Sequence, residues 1–316
     1  MSQSFGMDAH RILHTSSTYR EWLPEMSESS QGIRSLDSQP ATRPEPLQIS
    51  YSVLVVSALG FALWGLGWLV LIPNHESQLG WALEFVGPFL IAVSLVMFEK
   101  SLSPRIGRPA AILASLGAFL AALSTSIFAL NPTNLETTAG VSFGYGAYGA
   151  GLVLGALSLG AVLARKESHL GDVSRHEYPM CRVGCHCDTV VHSSFSSIAL
   201  GGAGLLIWGI GFLALGAQPA GSELGWILAV IGSTTVTGAL AAHFAHLSTR
   251  FGRAALVCGM LSAVIWSVGY LLQAINPNAG VLSSWYTMLF ICYGVGHILT
   301  AVSLLIIARR KAQLEQ

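Results

Sequence analysis

The sequence predicts an all-α integral membrane protein: eight transmembrane helices, arranged as two parallel four-helix repeats about a pseudo-two-fold axis along the membrane normal. Three observations predict it. Eight segments are long and apolar enough to cross a bilayer, the basic residues alternate between connectors, and one block of sequence matches another at a fixed offset. Hydrophobic residues make up 52% of the 316-residue chain and charged residues only 10%, with a mean hydropathy of +0.59. Those values lie outside the range of ordinary soluble domains.

A bilayer-spanning helix needs about 20 mostly apolar residues. The segments that meet this length are Tyr51–Ile72, Gly80–Phe98, Pro109–Leu130, Val141–Leu163, Ile198–Ala217, Leu224–Phe244, Ala254–Ile275 and Trp285–Ala308. A soluble helical core would show a polar face at a period of 3.6 residues, whereas these segments are apolar all round. All 16 Lys and Arg fall in the N-terminal tail, in the connectors after the second, fourth and sixth segments, or at the C-terminal end. By the positive-inside rule both termini and the long middle connector are cytoplasmic. The net charge of zero offers no electrostatic footprint for nucleic acid. Thirteen Arg against three Lys, with abundant Ala and Gly, suggest a GC-rich bacterial source and hence the inner membrane.

Residues 1–48 are polar, rich in Ser and Pro, and lack an apolar run behind a basic start. They are expected to form a disordered cytoplasmic tail, in which Arg11–His14 and Trp22–Pro24 offer a docking motif for a protein partner.

The first membrane repeat spans 49–166 and the second 196–311, joined by a connector at 167–195 and followed by a short tail at 312–316. A shift of 144 or 145 positions places Trp64-Gly65-Leu66-Gly67 on Trp208-Gly209-Ile210-Gly211 and Leu79-Gly80-Trp81 on Leu224-Gly225-Trp226. The same shift places Arg105-Ile106-Gly107-Arg108 on Arg250-Phe251-Gly252-Arg253, Asn131-Pro132 on Asn276-Pro277 and Tyr148-Gly149 on Tyr293-Gly294. Matches in order at one offset indicate duplication. Four spans per copy make the copies parallel rather than inverted. Each Asn-Pro pair stops a helix, and the Arg pairs suit headgroup anchoring. Gly151-x-x-x-Gly155 has helix-packing spacing. Trp68, Trp81, Trp226 and Trp285 lie near predicted outer ends and are expected to form an aromatic belt.

The connector holds the most distinctive chemistry. Cys181, Cys185 and Cys187, with His176, His186 and His192, are soft or borderline ligands that suit zinc or copper(I). The spacing lacks a Cys-x-x-Cys knuckle, and the competing reading is a linker with juxtamembrane, acylated cysteines.

Ionisable residues inside a bilayer are costly and mark functional candidates. Glu84 lies about one turn below the outer end of the second span, His243 near the inner end of the sixth, and His297 near the middle of the eighth. Their counterparts at the repeat offset are Ala229, Phe98 and Leu152, so each breaks the symmetry. Glu84 has the alternative of reaching the outer interface. His297 has no such exit. Ser233, Thr234, Thr235 and Thr237 form a hydroxyl patch at the level where the sister span has Pro88; such groups line polar paths or bond the preceding turn of their own helix. His243 is about seven residues deeper in its span than His297, roughly 10 Å of helix rise, which opposes a bis-histidine haem.

No phosphate-binding loop, His-Glu-x-x-His or nucleophile elbow occurs, so soluble-type enzymology has no obvious seat. The expected function is that of a transporter for a small solute or ion, its path lined by His297, Ser233, Thr234, Thr237, Glu84 and His243. The alternatives are a non-transporting accessory subunit and a haem- or quinone-binding redox protein.

Overall fold

A computed structural model describes residues 50–99, 102, 106–175, 195–218, 222–277 and 284–314. Among them are nine α-helices and no strand: α1 Tyr51–Leu71, α2 Gln78–Met97, α3 Arg108–Leu130, α4 Thr138–Arg175, α5 Phe195–Ala217, α6 Glu223–Ala242, α7 Phe244–Phe251, α8 Arg253–Ile275 and α9 Ser284–Leu314. All but the eight-residue α7 are long and apolar enough to span a membrane. The chain is an integral membrane protein in outline: large apolar side chains such as Leu59, Leu116, Ile231 and Leu305 project from the outside of the bundle, where lipid is the natural solvent.

The helix ends follow local chemistry. Ser77 and Ser222 cap α2 and α6, their hydroxyls accepting from Gly80 N and Gly225 N at 3.3 and 3.2 Å, which satisfies donors that the first turn leaves free. Asn131 closes α3, and its side-chain oxygen accepts from Thr133 N at 3.2 Å to start a 3-10 turn over Pro132–Glu136. Gly107 and Gly252 precede α3 and α8 at φ 91° and 93°, a region essentially closed to residues with a Cβ.

Three ends differ from expectation. Helix α4 continues to Arg175 and α9 to Leu314, beyond Leu163 and Ala308, because the polar residues that end the apolar run, such as Arg165 and Lys166, are themselves good helix formers. Helix α6 stops at Ala242; His243 takes up φ −109°, ψ 18° between α6 and α7, so the span ends before Phe244.

Each span makes its principal contacts with its sequence neighbours, and α9 closes on α1. The eight spans therefore form a ring. Two seams close it, α4 on α5 and α9 on α1, and both bring backbones together at glycine. A methyl on Gly149 would lie 2.8 Å from Gly209 O, and one on Gly65 2.7 Å from Gly294 O; lipid supplies no hydrophobic force between helices, so such close approach is what gains dispersion contacts. Gly151 and Gly155 of the predicted packing pair both meet α3 at Gly117, Gly151 more closely.

Candidate functional site

Side chains from all eight spans line one cavity of about 250 Å³ within the ring. It lies toward the end of the ring that bears Leu71, Gln78, Leu130, Ala217, Glu223 and Ser284, because most of its lining residues sit near those helix ends. The wall is aromatic. Trp64, Tyr148, Phe212, Tyr270, Tyr293 and Trp68 follow one another with successive ring centroids 4.8–6.3 Å apart.

Glu84 is set into this wall. Its side chain is 0% exposed, and it accepts a hydrogen bond from Trp64 Nε1 at 2.7 Å through Oε2, while Oε1 packs on the α1 backbone at Gly67 with no hydrogen-bonded side chain. The residue does not reach the outer interface, because α2 turns it inward against α1. The backbone at Glu84 is special as well. Pro88, four residues on and inside α2, has no N–H to return to the Glu84 carbonyl. The Thr125 hydroxyl on α3 replaces that donor, shared between Glu84 O at 3.1 Å and Ala122 O at 3.0 Å. A proline, a threonine and a tryptophan from three helices thus fix one carboxylate. At the offset of 144 or 145 positions the corresponding residues are Ala229, Ser233, Tyr270 and Trp208.

His297 enters from α9. Its Nδ1 lies 2.6 Å from Tyr293 O; a carbonyl only accepts, so Nδ1 carries the proton and Nε2 is the nitrogen left for a ligand. The imidazole packs against Trp64 and Trp266 at centroid distances of 4.2 and 4.8 Å. Trp64 therefore joins the two ionisable residues, its N–H edge on Glu84 and its ring on His297. One further polar atom on the lining, Trp68 Nε1, has no partner.

The remaining candidates lie elsewhere. Ser233 bonds Val230 O and Ser267 on α8, at 3.1 and 2.9 Å. Thr235 and Thr237 turn back to Ile231 O and Ser233 O, and Thr234 is exposed on the outside of the bundle. None of the four lines the cavity, the outcome expected when hydroxyls satisfy the preceding turn of their own helix. His243 stands at the break after α6, 3.2 Å from Ser196 Oγ, also away from the cavity. Cys181, Cys185, Cys187, His176, His186 and His192 lie outside the described residues. Among the described residues no group of three or more His, Cys, Asp and Glu could hold a metal ion.

Three tryptophans require a correction: Trp68 stands in the cavity wall, and two more lie inward with it. Trp81 and Trp226 are 3% and 5% exposed and line the cavity, so they are not part of a lipid-facing belt. Trp81 Nε1 instead donates to His75 O at 2.9 Å. Trp285 is exposed. The aromatic wall was the part that sequence reasoning missed. Its signal was aromatic residues at one level in successive spans, and hydropathy cannot tell an inward from an outward face when both are apolar.

No family model, characterised protein or solved structure matches the chain.

Proposed function

We propose that the chain is a membrane carrier for a small solute, held in the cavity inside the helix ring. Glu84 carries this reading. Taking a carboxylate out of water costs several kcal/mol, and here the carboxyl is fully buried beside a cavity, one oxygen against the α1 backbone with no hydrogen-bonded side chain. A subunit that only packs against others has no need of such a group, and would fill its interior with side chains. The cavity, by contrast, draws on every span, as expected of a binding site whose access changes when helices shift.

The architecture in this reading is two parallel halves, 49–166 and 196–311, about a pseudo-two-fold axis along the membrane normal. Supporting it are features that recur at one offset: Ser158 Oγ donates to Ala110 O and Ser303 Oγ to Ala255 O, both at 2.7 Å, and Gly107 and Gly252 share one backbone conformation. The charge distribution supports cytoplasmic termini, which turns the cavity toward the opposite face. Symmetry is broken where Glu84, Pro88, Thr125 and His297 sit, so one face of the cavity is specialised and the other retains apolar packing.

The test is two-sided access. Ser124 lines the cavity and is buried. In a background with the five native cysteines replaced, Ser124→Cys should react with membrane-impermeant methanethiosulfonates, trimethylammonium or sulfonate, in right-side-out vesicles and also in inside-out ones. Reaction from one side alone would make the chain a binding protein and not a carrier.

A further inference from the structure

We infer that the solute is an organic cation, a protonated amine with an aromatic or aliphatic body small enough for the cavity. This rests on the carrier reading and adds the substrate class to it.

The argument starts from charge. Among the described residues lining the cavity there is one carboxylate and no Lys or Arg. An anion entering would meet Glu84 with nothing to neutralise it, whereas a cation would supply the opposite charge that no residue of the lining supplies. Burial disfavours the bare carboxylate, and a cationic ligand is the partner that would favour it.

The walls favour the same class. The faces of Trp and Tyr rings attract cations through their quadrupoles, most strongly where water is excluded. Trp68 and Tyr293 pack at 5.0 Å on the lining that also holds Glu84. An anion would be repelled by those faces, and a neutral solute would gain nothing from them beyond contact.

Hydrogen-bond roles narrow the choice to a cation that carries N–H. With Nδ1 committed to Tyr293 O, His297 offers an acceptor at Nε2. Glu84 Oε1 is a second acceptor. Two acceptors on one wall match the donors of an ammonium group. The unpartnered Trp68 N–H leaves room for one acceptor, such as a hydroxyl, on the same ligand.

Size sets the last limit. A buried apolar cavity of about 150 Å³ admits benzene, and pockets for drug-sized ligands begin near 300 Å³. At about 250 Å³ the cavity takes one ring with a short aminoalkyl arm.

The experiment uses the full chain in detergent, titrated with phenethylammonium and with 2-phenylethanol, which has the same shape without the charge. Binding is read by calorimetry and by tryptophan fluorescence. The ammonium should bind saturably, and the alcohol about tenfold or more weaker. Glu84→Gln, which retains an acceptor for Trp64, should abolish that preference; its melting temperature shows whether it has folded. The wild-type comparison needs no variant. Equal affinity for alcohol and ammonium would overturn the assignment, as would a folded Glu84→Gln protein with unchanged ammonium affinity. Tighter binding of 3-phenylpropionate would overturn it too, leaving a solute cavity of the wrong class. If no compound binds while Ser124→Cys reacts from both sides, the cation class falls and the carrier stands. If neither is seen, both fall.

Discussion

Trp64 and Glu84 depend on one another at the level of single atoms. The indole N–H has a charged acceptor at 2.7 Å, and the carboxylate has no other hydrogen-bonded side chain. Trp64→Phe keeps the ring against His297 but removes the donor. It should destabilise the protein by about 1–3 kcal/mol, the cost of leaving a buried polar group unpaired, seen as a lower melting temperature in detergent. The same change in a Glu84→Gln background should cost less, since a neutral amide tolerates the loss better than a carboxylate. Equal costs in the two backgrounds would show that the bond contributes nothing particular to the ion. Glu84 and His297 were legible in the sequence because an ionisable side chain stands out in an apolar run. Trp64, which joins them, was not: a tryptophan in such a run looks the same whether it packs or holds a carboxylate.

At the scale of helices, the bond between α2 and α3 exists because α2 contains a proline. Thr125 gives its hydroxyl to the carbonyl that Pro88 leaves without a partner. Thr125→Val should therefore cost about 1 kcal/mol or more in the native chain. In a Pro88→Ala background, where the alanine N–H can bond Glu84 O, the cost should nearly vanish. A double-mutant cycle on thermal unfolding measures the difference, and strict additivity would disprove the coupling. On α9, Gly296 lies under the Trp266 indole, which a methyl group would meet directly. Gly296→Ala should displace Trp266 from His297 and change the tryptophan emission spectrum. The sequence foretold eight spans and the Asn131 stop, both set by local composition. It could not foretell which way Trp81 and Trp226 point, because rotation about a helix axis is fixed by partners far away in the chain.

For the molecule as a whole, the closing seams are the vulnerable interfaces. Both depend on glycine backbones in contact, Gly65 with Gly294 and Gly149 with Gly209. Leucine at Gly65 or Gly149 has no space and should open the ring. Fragments 50–175 and 195–314, expressed together with a tag on one, should co-purify as the native halves and should fail to do so with Gly65→Leu and Gly149→Leu combined. Recovery of the mutant pair in native yield would mean that the seams do not hold the halves. The matched words at one offset were visible in the sequence. The ring was not, since nothing local to α1 or α9 announces that the first span meets the last.

That meeting of first and last has a consequence for the order of the gene. Helices α1 and α9 run antiparallel, with Phe61 beside His297 and Leu69 beside Gly294, so the start of α1 and the end of α9 emerge on the same face. A circularly permuted chain that begins at Phe195, continues from Leu314 through a short linker to Ser50, and ends at Arg175 would preserve every helix–helix contact. Such a protein should insert, fold and bind as the native one does. The ring has a sequence of neighbours but no obligatory beginning.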